Sequence, residues 1–280
     1  MGAESRTDVL LEAEAAVRRD GRAALCQIVR VEGSTPGKPG WKLLLRRDGG
    51  AVGNLGGGAF EALVKADATK KLGEDLPVSE LKRYYFTEKA VRGEPTGMVC
   101  GGMAEVFVEV LEAAPLLLVC GGGPVGQAVA QAGDLAGFEV AVVEDRSEFL
   151  EPKLFPPATE LVKVDRRFTG EPLAPFHRRQ LFVAILTRCW ETDSAALGAV
   201  LRQGPEHLRY LGLMGSKRKV ERVRREVEAS GLCWPAIPFH APIGLAVGGD
   251  TPGEIAISIL AEVLQVRHAR AAEREERRAS

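Results

Sequence analysis

Leu116-Leu117-Leu118-Val119-Cys120-Gly121-Gly122-Gly123-Pro124-Val125-Gly126 reads as a strand, a glycine turn and the start of a helix. Leu116 to Val119 is a short apolar run, typical of a strand buried on both faces. Gly121, Gly122, Gly123, Pro124, Val125 and Gly126 satisfy G-x-G-x-x-G, a weak signal by itself in a chain with 32 glycines. Its context strengthens it: the turn directly follows an apolar strand and opens a helical stretch over 125–136. Glycine permits the tight turn and lets backbone N–H groups approach a phosphate, and the helix N-terminus adds donors and partial positive charge. Residues 138–143 form the next apolar strand, ending at Glu144, Asp145 and Arg146. A carboxylate there accepts hydrogen bonds from a ribose hydroxyl pair. That fits an unphosphorylated ribose better than a 2′-phosphate, although Arg146 leaves the phosphate open. A glycine turn also serves plain helix–strand packing, and hydride transfer does not follow from the fold.

Outward from this βαβ unit the pattern continues. Strands are expected at 161–164, 181–186 and 210–213, with helices at 194–202 and 217–229. A Pro-rich segment over 235–242 interrupts it. A last helix then starts at Pro252 behind Thr251 as N-cap and runs to about Arg267. Ahead of the turn lie a helix at 9–19, strands at 24–31 and 41–46, and an Asp48-Gly49-Gly50 turn. A helix at 59–72 and strands at 81–87 and 104–111 follow. The expectation is an α/β protein: a smaller α+β N-terminal domain over 1–112 and a Rossmann-like parallel-sheet domain over 113–280. The final helix, about 251–268, is a candidate to pack back on the first domain.

Net charge is −1 and the isoelectric point is about 6.5. Nucleic acids and anionic membranes need a concentrated positive field, so neither is an expected partner. No apolar run is long enough to cross a bilayer. The N-terminus lacks the basic and apolar regions of a signal peptide. Five widely spaced cysteines with no C-x-x-C pair argue against a disulfide scaffold or zinc ribbon. No metal-ligand set is expected, and a reducing, cytoplasmic location is. The tail over 267–280 alternates basic and acidic residues and reads as a solvated, fraying helix end.

Six blocks, in order, resemble the XdhC/CoxI family over nearly the whole chain. They are the loop Gly33-Ser34-Thr35-Pro36, the run over 53–61 (GNLGGGAFE), and the run over 97–102 (GMVCGG). The Rossmann turn comes fourth, the run over 210–219 (YLGLMGSKRK) fifth, and last the pair 242–245 and 251–256. The resemblance implies an accessory protein that binds molybdenum cofactor, as molybdopterin or its nucleotide form. It further implies support of sulfuration, and transfer to an apo molybdenum hydroxylase of the xanthine or carbon monoxide dehydrogenase type. A cysteine desulfurase is a further expected partner, and a homo-oligomer, in the first instance a dimer, would complete a cleft. The chain departs from the family at Gly37, where many members carry Arg, at Ala59, where some carry Cys, and at Trp190, where many carry His.

Such a ligand is polyanionic and asks for N–H cradles, a few hydroxyl or cationic donors and an apolar wall. Ser34, Thr35 and Lys38 are candidate donors, against the reading of a plain turn. Gly57, Gly58, Gly101 and Gly102 are candidate cradle positions. Cys100 is the candidate contact to metal or sulfur, against a buried cysteine in a tight turn. Glu61 can hold the guanine-like edge of a pterin or merely complement a helix dipole. Gly215, Ser216 and Lys217, with Arg218 and Lys219 behind them, can hold a phosphate at a helix start. His240 reads as structural. Two further readings stay open: an NAD(P)-dependent oxidoreductase, and a nucleotide-sensing scaffold without chemistry.

Overall fold

A computed structural model describes residues 6–74, 79–86, 94–95, 101–176, 180–204, 208–234 and 239–279. The chain divides into two compact units, Met1–Ala113 and Ala114–Ser280.

The first unit contains α1 (Arg6–Asp20), β1 (Arg22–Glu32), β2 (Lys42–Arg46) and β3 (Ala51–Gly53). It continues with α2 (Gly58–Leu72), β4 (Glu80–Tyr85), β5 (Glu94–Pro95) and β6 (Met103–Glu112). The sheet order is β3-β2-β1-β6-β4-β5, antiparallel except for the short β4–β5 pair. Alternation along β1 explains the layers, since successive side chains point to opposite faces. Ala24, Cys26 and Ile28 pack with Phe60 and Val64 of α2, while Ala23 packs with Val9, Ala13 and Ala16 of α1.

The second unit contains β7 (Leu116–Cys120), α3 (Pro124–Leu135), β8 (Glu139–Glu144) and β9 (Glu160–Lys163). Next come β10 (Leu181–Ile185), α4 (Trp190–Arg202), β11 (Leu208–Leu213), α5 (Lys217–Ala229), β12 (Phe239–His240) and α6 (Pro252–Ala279). All six strands are parallel in the order β12-β11-β10-β7-β8-β9. Counted within the unit this is 3-2-1-4-5-6 read from the other edge, the doubly wound dinucleotide-binding order. Every residue of β7 and of β10 is buried, because helices cover both faces. Leu116, Leu118 and Cys120 share one core with Leu197 of α4 and Val223 of α5. Leu117 and Val119 share the other with Val129 of α3 and Ile259 of α6.

Two expectations shift. Helix α4 begins at Trp190, four residues before the expected start, because its polar first turn is buried rather than looped. The last helix continues to Ala279 rather than ending near Arg267. In this unit α6 packs on α3 and β11.

Candidate functional site

Ligands of doubly wound sheets sit outside the carboxyl ends of the strands, where the order reverses. Here that is the end of β7 and β10. A Cβ on Gly126 would lie 1.9 Å from the Gly121 carbonyl oxygen, so only glycine lets the helix come this close to the turn. A side chain on Gly122 would meet the Phe149 carbonyl oxygen at 2.4 Å. Gly123 differs: it is the N-cap of α3 at φ −65°, and a Cβ there would meet nothing within 4 Å. Neither packing nor backbone conformation requires glycine at that position. Its effect is to leave the approach to the helix N-terminus clear.

The rim beside the turn is a tight charge cluster. Glu144 is 3% exposed. Its carboxylate accepts from the N–H groups of Gly122 at 2.8 Å, Asp145 at 3.0 Å and Arg146 at 3.1 Å. The Arg146 guanidinium adds two bonds to it, each 3.0 Å, and lies 4.1 Å from the Phe149 ring centroid. Asp145 is held bidentately by Arg188 at 2.6 and 2.7 Å. Those hydrogen bonds, against burial, keep its carboxyl well below the usual carboxylate range. Lys163, at the end of β9, donates to the Asp145 carbonyl and to Ser147 Oγ.

A second cluster stands at the ends of β10 and β11. Asp193 is fully buried; Thr187 Oγ1 donates to it at 2.6 Å and Lys219 Nζ pairs with it at 2.5 Å. Burial pushes the Asp193 carboxyl above its ordinary value, against Lys219 and Thr187. Ser216 caps α5 by accepting from the Lys219 N–H at 3.3 Å. Gly215 lies beside the Lys219 stem, and a Cβ there would meet its Cδ at 2.6 Å. Lys217 and Arg218 are exposed, so of the three basic residues only Lys219 turns inward. Trp190 stacks under Arg222 at 3.9 Å. His240 sits elsewhere, at β12, where its Nδ1 pairs with Glu262 at 3.0 Å and its ring stacks on Tyr210.

In the first unit, three of the glycine-bearing loops knit together through backbone. Ser34 bridges Gly101, and a Cβ on Gly102 would lie 2.2 Å from the Ser34 carbonyl oxygen. Gly37 packs against the Leu55 carbonyl, which a Cβ would approach to 2.3 Å. A larger residue at 37 therefore does not fit this backbone. Thr35 Oγ1 donates to the Gly37 carbonyl at 2.9 Å, and Ser34 and Lys38 are exposed. Gly57, Gly58 and Gly101 have left-handed φ values and open space where a side chain would stand. Glu61 Oε2 accepts from the N–H groups of Leu55 at 3.1 Å and Gly57 at 3.3 Å, and Lys65 pairs with Oε1 at 2.8 Å. Burial works to raise its carboxyl. Lys65 and the two N–H groups outweigh that and hold it below its ordinary value. Cys100 lies outside the described residues.

The structure thus gathers two sets of the expected residues, each within its own unit. One is Ser34, Thr35, Lys38, Gly57, Gly58, Glu61, Gly101 and Gly102. The other is the turn with Glu144, Asp145 and Arg146. Sequence reading missed Lys163, Thr187 and Arg188 and did not separate Lys219 from its basic neighbours. All four stand at or just beyond the carboxyl end of a parallel strand or at a helix start, which is the one signal that marks them.

Fold and turn together define a protein with a dinucleotide-type Rossmann unit joined to an antiparallel α+β unit. The chain belongs to the XdhC and CoxI family: residues 117–263 match the XdhC Rossmann domain and residues 16–84 match the XdhC and CoxI family. It is 38% identical over 247 residues to YqeB of Escherichia coli (strain K12), covering 88% of this chain and 43% of that protein. It is 28% identical over 197 residues to a probable xanthine dehydrogenase subunit of Bacillus subtilis (strain 168), covering 69% and 53% respectively. The chain thus spans about half the length, or less, of these relatives. A crystal structure described as a xanthine dehydrogenase from Bacillus halodurans aligns over 94% of this chain and 96% of that one, at 21% identity and TM-score 0.47. Among the described residues, no helix is long and apolar enough to cross a membrane.

Proposed function

We propose that this chain is a cytoplasmic accessory protein that binds molybdenum cofactor and assists its sulfuration and insertion into a molybdenum hydroxylase of the xanthine or carbon monoxide dehydrogenase type. The observation that carries the reading is Gly123, a glycine that neither packing nor backbone requires, standing where a phosphate meets a helix N-terminus. Family membership supports the rest, as does the likeness to a relative described as a probable xanthine dehydrogenase subunit.

The donor set fits a polyanionic ligand. Within the second unit, backbone N–H groups at the turn suit a phosphate or nucleotide; within the first, the glycine backbone at 57, 58 and 101, clear of side chains, suits a pterin. Ser34 and Lys38 add hydroxyl and cationic donors, while Thr35 holds the loop through its bond to the Gly37 carbonyl, and Gly215, Ser216 and Lys217 offer a further phosphate contact. When bound, the cofactor supplies a dithiolene-held metal whose redox chemistry belongs to the recipient enzyme. Cys100 contacts metal or sulfur, and the working form is a homodimer that meets an apo-hydroxylase and a cysteine desulfurase.

The test is reconstitution. Apo-hydroxylase mixed with the chain isolated from a cofactor-producing host gains activity, and the Cys100→Ala chain gives little or none. Equal activation by wild type and Cys100→Ala removes the role given to Cys100. No activation by either removes the accessory role. The strand order also favours a second reading, an NAD(P)-dependent oxidoreductase; reduced dinucleotide consumed with small carbonyl substrates would support it.

A further inference from the structure

We propose that the rim beside the turn reads a phosphomonoester rather than a ribose diol, through Arg146, Lys163 and Arg188. The inference rests on the reading that the turn takes a phosphate-bearing ligand. A dinucleotide site that selects the bare ribose needs a carboxylate with free acceptor capacity at the end of the second strand. Glu144 is in that place, but it is buried and its two oxygens already accept five hydrogen bonds. Asp145, the next carboxylate, is clamped by Arg188 through both oxygens, and its side chain is only 9% exposed.

What remains available is cationic. A guanidinium carries five N–H donors, and the bonds described spend two on Arg146 and two on Arg188. Lys163 is exposed at the neighbouring strand end and is tied to the same segment through the Asp145 carbonyl. Three cations stand against two carboxylates, so the rim is net positive. A dianionic monoester there gains charge-assisted bonds from planar, paired donors, whereas a ribose diol meets one saturated carboxylate and one that is nearly buried beneath Arg188. The phosphate has two chemical sources: the 2′-phosphate of an NADP-type dinucleotide, or the terminal phosphate of a pterin.

Isothermal titration of the purified chain separates these. NADP⁺ is compared with NAD⁺, and fluorescent oxidised pterin phosphate with the same pterin after phosphatase treatment. In at least one pair the phosphorylated member should bind about tenfold or more tightly, the gain expected of one or two charge-assisted bonds. Preference in the first pair assigns the 2′-phosphate; preference only in the second assigns the pterin phosphate. Lys163→Ala, an exposed change, should reduce the preference without lowering the melting temperature. Arg188→Ala frees Asp145 to accept from hydroxyls. It should therefore weaken the phosphorylated ligand and tighten the unphosphorylated one, a crossing that loss of folded protein cannot produce. Equal binding within both pairs overturns the inference while leaving the turn as a ligand site. No binding of any of the four overturns the reading of the turn, and the inference with it.

Discussion

Replacing Gly126 by Ala tests why the turn has its spacing. The added Cβ would start 1.9 Å from the Gly121 carbonyl oxygen and must reach at least 3.0 Å, so one backbone segment has to retreat by about 1.1 Å. Overpacking of this kind costs about 1–3 kcal/mol, and the upper end applies because the obstacle is backbone rather than a flexible side chain. Alanine recovers up to ~1 kcal/mol through its better helix propensity. The net loss is then about 2 kcal/mol, a fall of ~4–8 °C in melting temperature for a unit of this size. Gly123→Ala is the matched control. At φ −65° with no atom within 4 Å, it should cost about 1 kcal/mol or less, the preference for glycine over alanine at an N-cap. It should still weaken any ligand held by the turn, because a methyl now stands in the approach. Thermal and urea unfolding followed by circular dichroism read both. A Gly126→Ala protein that melts within 1 °C of wild type, taking ~1 °C as well under the shift worked above, would refute the packing argument. So would a Gly123→Ala protein that loses as much.

Other outcomes follow from the same geometry. Glu61 has a folded pKa below its ordinary 4.5, so its stabilising contribution is present above that range and is lost as pH falls through the lower folded value. Glu61→Gln should cost about 1–2 kcal/mol at pH 7, and its unfolding curve should converge on wild type in acid; a pH-independent difference would contradict this. Lys219→Met strands the buried Asp193 carboxylate and should destabilise by about 3 kcal/mol at neutral pH. Because burial already raises the Asp193 pKa, the loss should shrink as pH falls and the carboxyl takes up its proton. Cys26 is buried, with its thiol pushed up to about 12 by desolvation, and Cys120 is buried and raised in the same way. Thiol labelling at pH 8 with peptide mapping should therefore modify exposed Cys233 quickly and leave Cys26 and Cys120 untouched in the folded chain.

The parts of this fold that are legible in the sequence are those where one physical signal acts alone. Leu116–Cys120 is apolar at every position because helices cover both faces, and that run is visible without any partner. Helix α5 shows its observed ends because Ser216 caps it and Gly231 follows it closely. Helix α4 reads short because Glu191, Thr192 and Asp193 are polar, a composition that signals a loop until Thr187 and Lys219 are seen to satisfy Asp193. Strand β12 is two residues long and carries no period at all. The site divides in the same way. Glycine spacing identifies a turn, but it does not distinguish Gly126, required by packing, from Gly123, which packing leaves free. The residue Glu144 is recognisable as a carboxylate at a strand end; its direction is not. The structure turns it onto backbone N–H groups and Arg146, leaving the rim cationic.

Whether this chain carries molybdenum cofactor is decided by what it holds. The protein is purified from a host that makes the cofactor, denatured, and the released material is assayed for oxidised pterin and for nucleotide. Pterin approaching one equivalent per chain is expected, reduced when Gly123 is replaced by Ala. Release of NAD(P) or another nucleotide with no pterin would contradict the carrier role and move the chain to the dinucleotide-dependent reading.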